Sequence, residues 1–130
     1  MAFESLDYVY QSSRDVAADM AYFGDVLGAR VVFAIEASGT RVAMLELTAT
    51  PPWLLLADHL DGEHPILVYR VADIRAASEA LRAKGWHPER TLELPQGPCH
   101  SFRTPGGQRL ALYELTRPDF LSHFEGRRDF

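Results

Sequence analysis

The chain has a single cysteine, Cys99, among its 130 residues. No intrachain disulfide is possible, so burial and hydrogen bonding must hold the fold, and a reducing, cytoplasmic compartment is expected. Positive charge is in deficit. Thirteen Lys and Arg face 18 Asp and Glu, for a net charge of −5. Nucleic acid is therefore not expected as a partner, because phosphate recognition needs a basic footprint. The acidic balance is compatible with a cationic ligand. Long hydrophobic runs are absent too. The longest strongly apolar stretch, Trp53 to Ala57, is far short of the roughly 20 residues a spanning helix requires, so no membrane partner is expected. Met1 to Arg14 includes Glu4 and Asp7 and has no basic start leading into an apolar run. It does not read as a signal peptide. Gly106-Gly107 is too short for a phosphate cradle, has no helix after it, and reads as a hairpin turn. No serine, nor Cys99, stands in a recognisable nucleophile setting.

What is present is an ordinary globular balance, 47% hydrophobic and 24% charged, and a length that suits one domain. Leu6 to Gln11 reads as a strand. Asp15 fits a helix N-cap. Val16, Met20, Phe23 and Leu27 then recur at helical spacing on one face, and Gly28 suits a left-handed C-cap. Strands follow at Ala29 to Ile35, Arg41 to Thr48 and Trp53 to Ala57, parted by Ser38-Gly39 and Thr50-Pro51-Pro52. The same order then recurs. Ile66 to Val71 is a strand and Asp73 a second cap. Ile74, Ala77 and Leu81 share a helical face, and Gly85 stops that helix. Strands near Arg90 to Leu94, His100 to Arg103 and Arg109 to Glu114 complete the set. The two caps lie 58 residues apart and the two stops 57, which marks an internal repeat.

The expected fold class is therefore α+β, with two βαβββ modules whose sheets join into a curved, cup-like mixed sheet with helices on the outer face. Module one spans about 3–57, a linker 58–64, module two about 65–115, and a C-terminal extension 116–130.

Leu27-Gly28-Ala29 after the first helix, Val71-Ala72-Asp73-Ile74 at the second helix entry, and the Thr104-Pro105-Gly106-Gly107 turn before the last strand together resemble the vicinal-oxygen-chelate superfamily. That superfamily includes glyoxalase I, extradiol dioxygenases and bleomycin-resistance proteins. The resemblance covers about Phe3 to Thr116. Thr104 stands where its turn usually has an aspartate. The resemblance implies four metal-ligand positions inside the cup, filled here by Tyr8, Leu55, Ile66 and Ala111. Three are hydrocarbon. A tyrosine ligates only as phenolate, which its reference pKa of about 10 disfavours. No metal and no cofactor are expected.

By alternation, Tyr8 and Tyr10 share a face, as do Trp53 and Leu55, then Ile66, Val68 and Arg70, then Ala111 and Tyr113. With Phe102 these are the candidate ligand-binding residues of an aromatic cup that is either open or filled by its own side chains. Arg70 pairs with a ligand carboxylate or phosphate, or is a surface arginine beyond the rim. His100 is the one candidate catalytic residue, a general base if it faces the cup and otherwise a wall or core residue. Asp58-His59-Leu60-Asp61-Gly62-Glu63-His64 is a solvated linker or, less in keeping with its spacing, a metal site. Phe120, Leu121 and Phe124 form an apolar stripe that packs on the body, on a partner subunit, or over the cup mouth.

The expected function is metal-independent binding or sequestration of a hydrophobic or aromatic small organic molecule. A metal-free lyase or isomerase using His100, Tyr8 or Tyr113 with Arg70, and an interaction domain with a filled cup, are the alternatives. Activity as a metal-dependent glyoxalase or dioxygenase is not expected. The resemblance also implies a homodimer.

Overall fold

The computed structural model describes residues 1–62 and 64–130. Its elements are β1 (Phe3–Ser12), α1 (Val16–Ala21), β2 (Arg30–Ala37), β3 (Thr40–Glu46), β4 (Trp53–Ala57), β5 (Ile66–Val71), α2 (Ile74–Arg82), β6 (Arg90–Leu94), β7 (Gly97–Arg103) and β8 (Arg109–Tyr113). The strands form one mixed sheet in the order β2-β3-β4-β1-β5-β8-β7-β6. Each βαβββ unit contributes four neighbouring strands, and the units meet where β1 runs antiparallel to β5. Within a unit the first and last strands are parallel, β1 to β4 and β5 to β8. The α+β class and the curled, mixed sheet are as the repeat predicts.

Local chemistry explains the repeat. The Asp15 carboxylate accepts from Ala18 N and the Asp73 carboxylate from Ala76 N, each at 3.0 Å, satisfying donors that a helix start leaves free. Both helices stop at a glycine with positive φ, Gly28 at 78° and Gly85 at 93°. One expectation fails here. After Ala21 the helix widens into a π turn, Tyr22–Val26, in which Leu27 N donates to Tyr22 O. The longer loop of backbone shifts the helical phase. Leu27, expected on the buried face with Val16, Met20 and Phe23, is 46% exposed instead.

The two faces of the sheet have separate cores. On the outer side, α1 packs Val16 and Met20 against Ala34, Ala43, Leu45 and Leu56. On the same side, α2 packs Ile74 and Ala77 against Val71 and Leu112. The inner, concave side gathers Tyr8, Val32, Phe33, Met44, Val68, Cys99, Ala111, Tyr113 and Phe120.

Phe120 belongs to the extension, which chooses among the three places open to it. The chain leaves β8 and crosses the mouth of the cup, where Leu115, Phe120, Leu121 and Phe124 join the inner core. It then runs beside β2. Gly126 N donates to Val32 O, Ala34 N to Arg127 O, and Asp129 N to Ala34 O. The Asp129 carboxylate accepts from Glu36 N, and Phe130 lies under the Arg41 guanidinium, 4.6 Å from the ring centroid. The extension therefore covers one sheet edge and part of the cup together.

The start of β7 is held close to the chain leaving β8, with Thr116 N and Arg117 N both donating to Gln96 O. A β-carbon on Gly97 would lie 1.9 Å from Glu114 O. Gly97→Ala should therefore cost about 2–4 kcal/mol in urea unfolding. Gly106→Ala meets nothing within 4 Å and should stay within about 0.5 kcal/mol of wild type. Equal stability of the two variants would contradict this packing.

Candidate functional site

The inner face of β1 does not follow simple alternation. Leu6 faces Tyr69 and Tyr8 faces Val68, two steps on β1 against one on β5. The extra residue is Asp7. A bulge lets neighbouring side chains share a face, and Asp7 turns into the cup beside Tyr8. Its carboxylate is buried. Oδ1 accepts from Ser5 Oγ at 2.6 Å. Oδ2 accepts from the Tyr113 hydroxyl and meets Arg70 Nε at 3.1 Å. One carboxylate therefore ties together β1, β5 and β8.

Burial disfavours the charged form of each inner phenol. Tyr8 is pushed up to about 12, first by desolvation and then by the Asp7 charge. Tyr113 is raised by burial and by its hydrogen bond to Asp7. Burial also raises the Cys99 thiol to about 12. All three stay protonated near neutrality.

Between this polar group and the crossing extension lies a cavity of about 140 Å³. Asp7, Tyr8, Trp53 and Arg70 line it from the sheet, Pro51 from the turn before β4, and Leu115, Pro118, Phe120 and Leu121 from the extension. The Tyr8 ring stands between Trp53 and Tyr113, with centroids at 5.8 and 5.7 Å.

Of the residues singled out from sequence, Tyr8, Trp53 and Arg70 reach the cavity. Leu55, Ile66, Val68, Ala111 and Tyr113 lie on the same concave face but pack into its core. Tyr10 shares the Tyr8 face further along β1, where its hydroxyl meets His59 Nε2 at 3.4 Å. Phe102 is not in the cup. It packs with Trp86 in the α2-side core. His100 shares that outer face, its ring 6.2 Å from Trp86, because residues two apart on a strand point the same way. Its pKa is lowered by burial and by Arg82. It is therefore not placed to act as a base in the cup.

Asp7 is a lining residue that the sequence reading does not single out, and the extension takes one of the three places open to it, the cup mouth. Nothing in the alternation marks a bulge, and the stripe of Phe120 and Leu121 was visible without its destination.

The residues at the four family ligand positions are brought onto one wall. Tyr10 is paired to both Leu55 and Ile66, and Val68 to both Tyr8 and Ala111. Three hydrocarbon side chains and a phenol near 12 do not fit a metal ion. Among the described residues no group of three or more His, Cys, Asp or Glu is placed to hold one.

In the 58–64 segment, the Asp58 carboxylate accepts from Arg41 N, and Arg109 Nη1 donates to the carbonyls of Asp61 and His64. Glu63 of the same cluster lies outside the described residues. A second hollow, about 280 Å³, lies beside His64, Leu67 and the Gly106–Arg109 turn. The Arg109 guanidinium there is already engaged by those carbonyls, and among the described residues no Phe, Tyr or Trp lines it.

Stability should fall at high pH. Tyr8 and Cys99 bind protons more tightly folded than unfolded. Their contribution is complete below the unfolded pKa values, about 9 and 10, and is lost as pH rises towards about 12. Urea unfolding at pH 8, 10 and 11 should show this decline, and Tyr8→Phe should flatten it. Separately, Asp7→Ala should cost about 3 kcal/mol, since it orphans the buried Tyr113 hydroxyl and releases Arg70. Arg70→Ala should cost less, because Ser5 and Tyr113 still serve Asp7. The reverse order would show that the carboxylate does not organise the site.

The sequence matches the family description of the Glyoxalase/Bleomycin resistance protein/Dioxygenase superfamily over residues 5–112. No curated protein matches it. Among solved structures, a methylmalonyl-CoA epimerase from Mycobacterium tuberculosis superposes with a TM-score of 0.74 at 22% identity, covering 90% of this chain and 91% of that one. A variant of the Streptomyces coelicolor methylmalonyl-CoA epimerase, in complex with 2-nitronate-propionyl-CoA, superposes with 0.69 at 18% identity, covering 88% and 96%. A hypothetical protein from Bacillus halodurans C-125 does so with 0.71 at 13% identity, covering 85% and 93%. These likenesses concern the fold. The family match spans most of the chain, and the chain belongs to the Glyoxalase/Bleomycin resistance protein/Dioxygenase superfamily.

Proposed function

We propose that this chain is a metal-independent small-molecule-binding protein that holds a hydrophobic or aromatic ligand in the cup. The observation that carries the reading is the cavity itself, walled by Tyr8, Trp53, Phe120 and Leu121, with one guanidinium at its edge. A few polar groups set in an apolar wall favour recognition by area burial and stacking. The protonated state of the inner phenols supports binding over proton abstraction, since neither Tyr8 nor Tyr113 is poised as a base. A homodimer belongs to the same proposal. Among the described residues β6 is paired on one side only and carries the exposed Leu92, an edge that a second copy would cover.

A metal-free lyase or isomerase in the same pocket is the second reading. It is favoured by the Tyr113–Asp7 hydrogen bond, which sets a phenol and a carboxylate side by side.

Native mass spectrometry of the fresh protein, followed by a thermal-shift screen of small aromatic and acyl compounds, tests the proposal. A ligand at 100 times its Kd stabilises by about 2.7 kcal/mol, a rise in Tm of roughly 8–10 °C in a chain of this size. Leu121→Trp, which fills the cavity from the extension, should abolish that rise while leaving the circular dichroism unchanged. The proposal fails if nothing co-purifies and no compound shifts Tm, or if the shift survives in the filled variant. Deuterium uptake from D2O into methylmalonyl-CoA above the buffer rate would replace binding by the second reading.

A further inference from the structure

We infer that the ligand is a small carboxylate, taken head first by Arg70. The inference rests on the binding reading above and names the class of molecule. It follows from which polar groups on the cavity wall remain unspent.

Asp7 is already engaged, accepting from Ser5 and Tyr113 and ion-paired with Arg70. The Tyr8 hydroxyl sits among Tyr113 and Gln96. Both are thus turned towards partners within the protein. Arg70 is different. It meets Asp7 through Nε, the inner edge of its guanidinium. Among the described residues its terminal Nη atoms have no hydrogen-bond partner, and 39% of the side chain is exposed. The charged group with most capacity left at the cavity edge is therefore a donor, and its shape is the two-pronged fork that matches a carboxylate. Asp7 anchors that fork from behind and sets its direction.

The local charges also decide between ligand classes. An ammonium group would approach the like-charged Arg70 and find the Asp7 charge already paired with it. A phosphate dianion would bring two negative charges near the buried Asp7 carboxylate. A carboxylate brings one and can engage both Nη atoms. A neutral amide offers one acceptor and no charge. The overall charge of −5 favours a cation, but the groups within contact range outweigh it, because distant surface charges are screened.

Size and shape limit the remainder of the molecule. The cavity of about 140 Å³ is close to one that holds a single benzene ring, about 150 Å³. Tyr8 and Trp53 give it aromatic walls, and Pro51, Pro118, Phe120 and Leu121 close it. The class is a benzoate-like or short-chain acyl carboxylate, ring or chain inward and carboxylate at Arg70.

Isothermal titration with benzoate, benzamide and benzylamine reads this directly. Benzoate should bind about 10-fold more tightly than either analogue. Arg70→Gln should bring benzoate to the level of benzamide, and Arg70→Lys, which keeps the charge without the fork, should fall between. Arg70 is partly exposed, so these variants are expected to fold, and circular dichroism on the same samples checks it. If benzamide or benzylamine equals benzoate, or if Arg70→Gln keeps the benzoate advantage, the carboxylate assignment is overturned while cup binding stands. If none of the three binds at millimolar concentration, the assignment falls, and the wider screen decides separately whether the binding reading falls too.

Discussion

A carboxylate buried in an apolar cup must be met by donors on every side, because an unpaired charge there would cost several kcal/mol. Asp7 meets that condition with a serine, a phenol and a guanidinium drawn from three strands. Much of the inner architecture follows. The β1 bulge exists at the residue that must turn inward. Tyr113 is fixed at the end of β8, and Tyr8 is left between two rings. Arg70 is held through Nε at the cavity edge. The seam between the two modules is thus also the floor of the candidate site.

The second organising element is the extension past β8. Two open four-stranded sheets leave a concave apolar face that must be covered. Here the chain covers it with Phe120, Leu121 and Phe124, then ties its own end to the β2 edge. The consequence is asymmetry in a nearly symmetric fold. The β2 edge is occupied by residues 126–130, whereas the equivalent edge, β6, has no such cover among the described residues. The extension also walls the cavity, so a segment outside the repeat limits the space left in the cup.

The wall formed by Tyr8, Leu55, Ile66 and Ala111 is a hydrocarbon surface around one protonated phenol. Burial makes the inner phenols and the Cys99 thiol hold their protons. Among the described residues, the charged groups that line the cavity are the Asp7–Arg70 pair. Recognition in such a place relies on stacking, area and one directional contact.

Much of this was legible in the chain because it depends on local chemistry. Asp15 and Asp73 cap, Gly28 and Gly85 stop, and the near-constant spacing between them reveals the repeat and its sheet. The same alternation places Tyr8, Trp53 and Arg70 on one concave face, and an alanine or leucine excludes metal ligation wherever it stands. Other features depend on pairing between distant strands. The bulge at Asp7 is a mismatch between β1 and β5, which neither strand displays alone. The face of β7 that carries His100 and Phe102 is set by its register against β8 and by the position of Trp86. The stripe of Phe120 and Leu121 declared that the extension must be buried, since exposed aromatics are costly. Only the closed cup decided where, because the concave face that receives it exists only when both modules have joined.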